Sequence, residues 1–133
     1  MGNPQKAKGD KYENDLAKYM NEYVFKYEQC QRAPLSGGGR IGLHAGGADI
    51  LGSTGVFVEA KRVERLNVRE ALQQAERNIE ATKSPEYATV ITRRNRESLE
   101  DSLVVMRLKD WKDFYIAYLR SEGYLRDDQP DLK

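Results

Sequence analysis

Asp49, Glu59 and Lys61 carry the strongest chemical signal in the chain. They lie in two short apolar runs, residues 47–51 and 56–61, separated by Gly52-Ser53-Thr54-Gly55. In the second run Val56, Val58 and Ala60 share one face of an extended strand, and Phe57, Glu59 and Lys61 share the other. A carboxylate and an ammonium two residues apart thus leave an apolar strand in the same direction. Burying either one unpaired is costly, so they need a partner, a cation or a water-filled cleft.

The turn decides which face Asp49 joins. A three-residue hairpin loop ends in a residue of positive φ, and Ser53-Thr54-Gly55 supplies a glycine at that place. Such a loop sets Gly52 opposite Val56, Leu51 opposite Phe57 and Asp49 opposite Glu59. A two-residue loop of Ser53-Thr54 would set Asp49 opposite Val58 and turn it to the other face. The three-residue loop is the expectation. Directly opposed like charges destabilise a sheet unless a cation sits between them, and two carboxylates with Lys61 beside them suit a hard metal ion.

Asp49, nine intervening residues and then Glu59-Ala60-Lys61 resemble the Asp…Glu-x-Lys signature of the PD-(D/E)xK nuclease superfamily, with Ala48 where the name has proline. The elements that must position these residues can be read on either side. Residues 1–8 are polar and expected to be mobile. A first helix is expected to open on a capping box of Asp10 and Glu13. Tyr12, Leu16, Tyr19, Met20, Tyr23 and Val24 would form its buried stripe. Glu13 borders that stripe, and its capping role does not exclude a role in a site. A strand over 28–33 stops at Pro34. A glycine-rich loop of residues 36–47 lacks the Gly-Lys-Ser/Thr ending of a phosphate loop. It suits closure over a DNA backbone or a plain connector.

The hairpin spans about 48–63. Asn67 caps a second helix with Glu70 three residues on, and Val68, Ala71, Leu72, Ala75 and Ile79 form its stripe. A strand over 87–92, a basic loop Arg93-Arg94-Asn95-Arg96 and a strand over 103–107 come next. A last helix opens at Asp110 with Trp111, Phe114, Tyr115, Tyr118 and Leu119 inward, and ends at Gly123. Residues 124–133 are expected to fray. The strand, helix, strand crossover implies a parallel pair within a mixed sheet. The expectation is one α/β domain over 1–133, with a restriction-endonuclease-like αβββαβ core, a mixed central sheet and an added C-terminal strand and helix. That core order is the superfamily's.

Within the superfamily the chain is similar to the small Holliday-junction resolvases of archaea and some phages. The likeness runs from Lys8-Gly9 through Glu13, Leu16, Arg32 and Ser36-Gly37 to Asp49 and Glu59-Ala60-Lys61, close to half the chain. It implies Glu13, Asp49 and Glu59 as metal ligands, Lys61 as the catalytic lysine, and Arg32 and Ser36 as contacts to the scissile region. Gln74 falls where a glutamine often recurs on the second helix of related nucleases. Loop 36–47 is longer than the archaeal form leads one to expect. The implied activity is that of a Mg²⁺-dependent endonuclease of DNA recombination acting on branched, four-way DNA. Mn²⁺ should be able to substitute. Alternatives are a nicking, repair or restriction-like nuclease of the same fold, or a non-catalytic nucleic-acid-binding domain with salt-bridged carboxylates.

Phosphodiester hydrolysis needs an activated water in line with the leaving oxygen and a cation to offset charge growing on the phosphate. Two or three carboxylates suffice to hold Mg²⁺, which keeps several waters. Arg32, Arg40, Arg93, Arg94 and Arg96 are candidate phosphate contacts, and the last three are equally well read as a solvated turn. His44, the only histidine, sits in the glycine-rich loop, a poor support for a general base. Cys30 is the only cysteine, which excludes an internal disulfide and a clustered-thiolate zinc site.

At 133 residues, the chain is large enough to bury roughly two-thirds of its unfolded surface. Charged residues make up 32%, with a net charge of only +1, so any pull on DNA must come from local clusters. No apolar run approaches a membrane span, and the first residues carry no apolar signal region. An intracellular, cytoplasmic protein is expected, with a phage source among the options. Paired incision by a chain with one candidate site implies a two-fold homodimer, with the aromatic last helix and the strand before it as the contact.

Overall fold

In the computed structural model, residues 3–34 and 47–126 are described. Helix α1 (Pro4–Tyr19) begins six residues before the expected Asp10, so residues 4–8 are helical. The reason is Asn3-Pro4. The Asn3 side chain accepts hydrogen bonds from the Gln5 and Lys6 amides, and Pro4 takes the first helical position, where no N–H is needed. Asp10 and Glu13 are therefore interior residues with no capping duty. Tyr12, Leu16 and Ala17 are buried, but the helix continues into a wider π turn at Met20–Phe25. Each extra residue in a turn rotates the later side chains by about 100°. That carries Tyr23 and Val24 into solvent, 56% and 60% exposed, against expectation.

Strand β1 (Gln31–Arg32) is shorter than expected because the Asn21 side chain takes the amides of Gln29 and Cys30 before they can join a ladder. It pairs antiparallel with β2 (Ile50–Leu51), with Arg32 opposite Ile50. Strand β3 (Val56–Arg62) runs parallel to β4 (Tyr87–Arg93), and β4 pairs antiparallel with β5 (Leu103–Val105), giving a mixed three-stranded sheet in the order β3-β4-β5. Between β3 and β4 lies α2 (Val68–Thr82), opened as expected by Asn67 accepting from the Glu70 amide. The protein is thus mixed α/β, with the parallel pair and crossover helix that the sequence implied.

Two apolar clusters hold the sheet. Val58, Ile50 and Ile91 pack on Tyr12, Leu16 and Ala17 of α1; Phe57, Ala88 and Val90 pack on Ala71, Leu72 and Ala75 of α2. The last helix, α3 (Leu108–Ser121), differs from expectation: none of its residues is buried, and Trp111, Phe114, Tyr115 and Tyr118 are 41–57% exposed. Its inner contacts are few, chiefly a Tyr87–Phe114 ring contact and a Tyr87 hydroxyl donating to Asp113. Gly123 ends it with φ +81°. Among the described residues no helix is long and apolar enough to cross a membrane.

Candidate functional site

The expected register of the β2–β3 hairpin is not formed. The Val56 amide donates to the Ser53 carbonyl and the Ser53 hydroxyl donates to the Val56 carbonyl, closing a turn around Thr54-Gly55 with Gly55 at φ +94°. Only two residues, Thr54 and Gly55, span that turn, because the glycine serves its second central position rather than ending a three-residue loop. Asp49 lies in a bend ahead of β2 instead of facing Glu59 in a ladder. Its amide donates to the Val58 carbonyl at 2.9 Å, and its carbonyl accepts from the Ala33 amide at 2.9 Å. Its carboxylate Oδ2 accepts from the Ala60 amide at 2.8 Å. One side chain has taken the place of a backbone acceptor. Asp49 thereby bonds the residues on both sides of Glu59, and the two carboxylates come within electrostatic reach despite the changed register.

Glu59 is 3% exposed, and its Oε1 is buried with no hydrogen-bond partner. Its Oε2 lies 3.6 Å from Lys61 Nζ. Burial pushes its carboxyl well above the usual range, the Asp49 carboxylate pushes it further, and Lys61 only partly offsets them. Asp49 is likewise raised, first by burial, with the Ala60 amide, Lys61 and Arg32 pulling the other way. Glu13 is raised to about 7 by burial and then by Asp49, against the pull of Arg32. Asp49, in its bend, thus opposes the ionisation of Glu13 on α1 and of Glu59 on β3.

Arg32, expected at the scissile region, stands beside this group with its guanidinium already engaged. Its Nε meets Glu13 Oε1 at 3.0 Å and its Nη2 meets Asp10 Oδ1 at 2.8 Å. Asp10 is a participant that the capping-box reading concealed; its spacing of three from Glu13 on one helix face was the available signal. Arg93, Arg94 and Arg96 leave the sheet at the end where Lys61 and Thr92 are neighbours. Arg94 and Arg96 are exposed, while Arg93 is half-buried over the Tyr12 ring. Gln74 is half-buried on α2. Ser36, Arg40 and His44 lie outside the described residues.

Among the described residues no three His, Cys, Asp or Glu side chains are gathered into a ready metal cage. The donor set nevertheless fits a hard cation. Mg²⁺ needs only one or two carboxylates with waters and substrate oxygens completing its shell, and an orphaned carboxylate oxygen beside two raised carboxyls is the local imbalance that such an ion removes. Compared with family models, curated proteins and solved structures, the chain matches none.

Proposed function

We propose that the protein is a metal-dependent endonuclease with a restriction-endonuclease-like core, acting on branched DNA as a homodimer. The observation that carries this reading is the group Glu13, Asp49, Glu59 and Lys61, in which Asp49 raises the pKa of Glu13 and of Glu59 and the buried Glu59 Oε1 has no partner. Glu13 is paired with Arg32, whereas the buried Glu59 meets only the Lys61 ammonium, at 3.6 Å, and Asp49 has no ion pair among the described residues.

Asp49, Glu59 and Glu13 would hold Mg²⁺ or Mn²⁺, which when bound supplies charge neutralisation and an acidified water. The chain's own residues do the rest. Asp49 is fixed by the Ala60 amide, so its second oxygen keeps one direction. Lys61, 30% exposed at its side chain, can hold a water or a phosphate oxygen at the mouth of the site. Arg32 steadies Glu13. The basic strand ends at Arg93 and Arg94 supply affinity without sequence reading, since no recognition helix for base edges is evident among the described residues.

The test compares cleavage of an immobile four-way junction with its separate linear arms, at equal salt with Mg²⁺. Junction cleavage is expected to dominate, and Asp49→Asn, Glu59→Gln and Lys61→Ala should each lose about 10²–10³-fold or more in rate while still binding DNA. Equal rates on both substrates leave a nuclease of the nicking or repair type. Full activity in any one of the three variants removes the site.

A further inference from the structure

The carboxyl ends of β3 and β4 hold a second cluster, on the α1 side of the sheet and separate from the carboxylates. In the parallel register Arg62 and Arg93 are direct neighbours, the last residues of their strands. Both are half-buried, and each has its Nε out of solvent with no hydrogen-bond partner. Arg93 Nη1 donates to the Glu97 carbonyl at 2.7 Å, and its guanidinium carbon lies 5.6 Å from the centroid of the buried Tyr12 ring. The Tyr12 hydroxyl is raised mainly by burial, and both Arg93 and Arg62 pull the other way electrostatically.

Neither arginine is joined to a carboxylate by an ion pair. Among the described residues no ion pair reaches Arg62, Arg93 or Arg94. The Glu97 carboxylate, which acts on Tyr12 along with both arginines, accepts from the Arg94 amide. The Glu64 carboxylate accepts from the Asn95 amide. Partly desolvated like charges side by side are unfavourable unless an anion joins them. A cleft of about 260 Å³ opens beside these strand ends, with Arg93, Arg94, Glu64 and Glu97 on its wall and Arg62 outside its lining. The carboxyl ends of parallel strands are also where open α/β sheets bind ligands.

We propose that Arg62, Arg93 and Arg94 form an oxyanion site that takes a phosphate group, either a nucleic-acid backbone phosphate or a small free phosphate. Guanidinium forks match the geometry of a tetrahedral oxyanion with two parallel donors. The site uses none of Glu13, Asp49, Glu59 or Lys61 and needs no metal; it rests on the proposed function only in that Arg93 and Arg94 there supply DNA affinity, so it is tested without cleavage.

The experiment is run in EDTA, with no cleavage readout. Thermal unfolding of the full chain is compared in inorganic phosphate and in sodium chloride at equal ionic strength, for wild type and for Arg62→Gln/Arg93→Gln. Binding of a labelled DNA duplex is measured across a salt series for the same pair. Phosphate should raise the melting temperature of the wild type over chloride, and the double variant should lose that gain. A drop of about one in the salt slope of duplex binding then assigns the site to a backbone phosphate. Loss of the phosphate gain with an unchanged slope assigns it to a free phosphate. No phosphate-specific gain in the wild type together with an unchanged slope overturns the site. Should the double variant not fold by circular dichroism, Arg62→Lys/Arg93→Lys keeps both charges but not the forks. Phosphate protection equal to wild type in that variant would equally overturn it.

Discussion

Arg32 ties Glu13 to the strand that carries Asp49's neighbour. Its Nε meets Glu13 Oε1 at 3.0 Å from β1, where Arg32 is paired with Ile50, the residue after Asp49. The same guanidinium binds Asp10 one turn earlier on α1. With 22% of its side chain exposed and both prongs in use, Arg32 is placed to hold a carboxylate rather than to meet DNA first.

Arg32→Ala should therefore lower cleavage by about 10–100-fold, the usual cost of losing a group that orients a ligand. Because Arg32 pulls the Glu13 carboxyl downward, its loss should also shift the acid limb of the pH–rate profile upward. Arg32→Lys should restore part of the rate. Weaker DNA binding with an unmoved pH profile would make Arg32 a substrate contact instead.

The carboxylate group makes stability depend on pH in an uncommon direction. A carboxyl whose folded pKa exceeds its unfolded value leaves the folded state holding more protons, so stability falls as pH rises between the two values. Glu13 moves from 4.5 to about 7, and Asp49 and Glu59 are displaced in the same sense. Their contribution should be fully present near pH 4 and lost progressively up to and beyond pH 7. In EDTA the melting temperature should be higher at pH 5 than at pH 8, and Mg²⁺ should recover stability at pH 8 but hardly at pH 5. Glu59→Gln should flatten both effects. Calorimetry across that range is the check, and a melting temperature that rises with pH would contradict it.

How much of this was legible depended on whether a local rule met competition. The Asn67–Glu70 cap and the α2 stripe had none, and both are found as read. Asp49, Glu59 and Lys61 were legible as residue types at a spacing, but the hairpin register was not. The same Gly55 serves a two-residue turn as well as a three-residue loop, and the bend that lets Asp49 reach Ala60 leaves no mark in alternation. At α1 two valid caps competed. Asp10 with Glu13 lost to Asn3-Pro4 because the residues between them continue the helix. For α3 the apolar pattern was correct and the partner was not, since an amphipathic stripe says that a face will be covered without saying by what.

Gly52 fixes the turn before β3. Its φ is +89°, and a Cβ there would collide with the Gln29 backbone carbonyl oxygen, while the Gln29 side chain donates to the Gly52 carbonyl at 3.0 Å. Gly52→Ala should destabilise by about 2 kcal/mol or more, combining strain with a backbone clash. Gly55→Ala meets open space and should cost only the strain of its positive φ. Denaturant melts of the two variants give the comparison, and equal costs would mean that the Gln29 approach is soft.

In the proposed homodimer a second copy of the chain would cover the exposed face of β5 and α3. Val104, Leu108, Trp111, Phe114, Tyr115 and Tyr118 are each 41–76% exposed. A standard stable interface takes about 800 Å² from each partner, and exposed aromatic side chains like these are its usual anchors. β5 is an edge strand of the sheet, so a two-fold axis can set the same face against itself in an isologous contact. Such a helix would gain little in a monomer, where none of its residues is buried. Sedimentation at micromolar concentration should give about twice the chain mass of 15.2 kDa. Trp111→Glu with Tyr118→Glu should return it to the chain mass and abolish paired incision of a junction while leaving single nicks. A wild-type monomer under those conditions would leave the face to a different protein and remove the dimer from the proposed function.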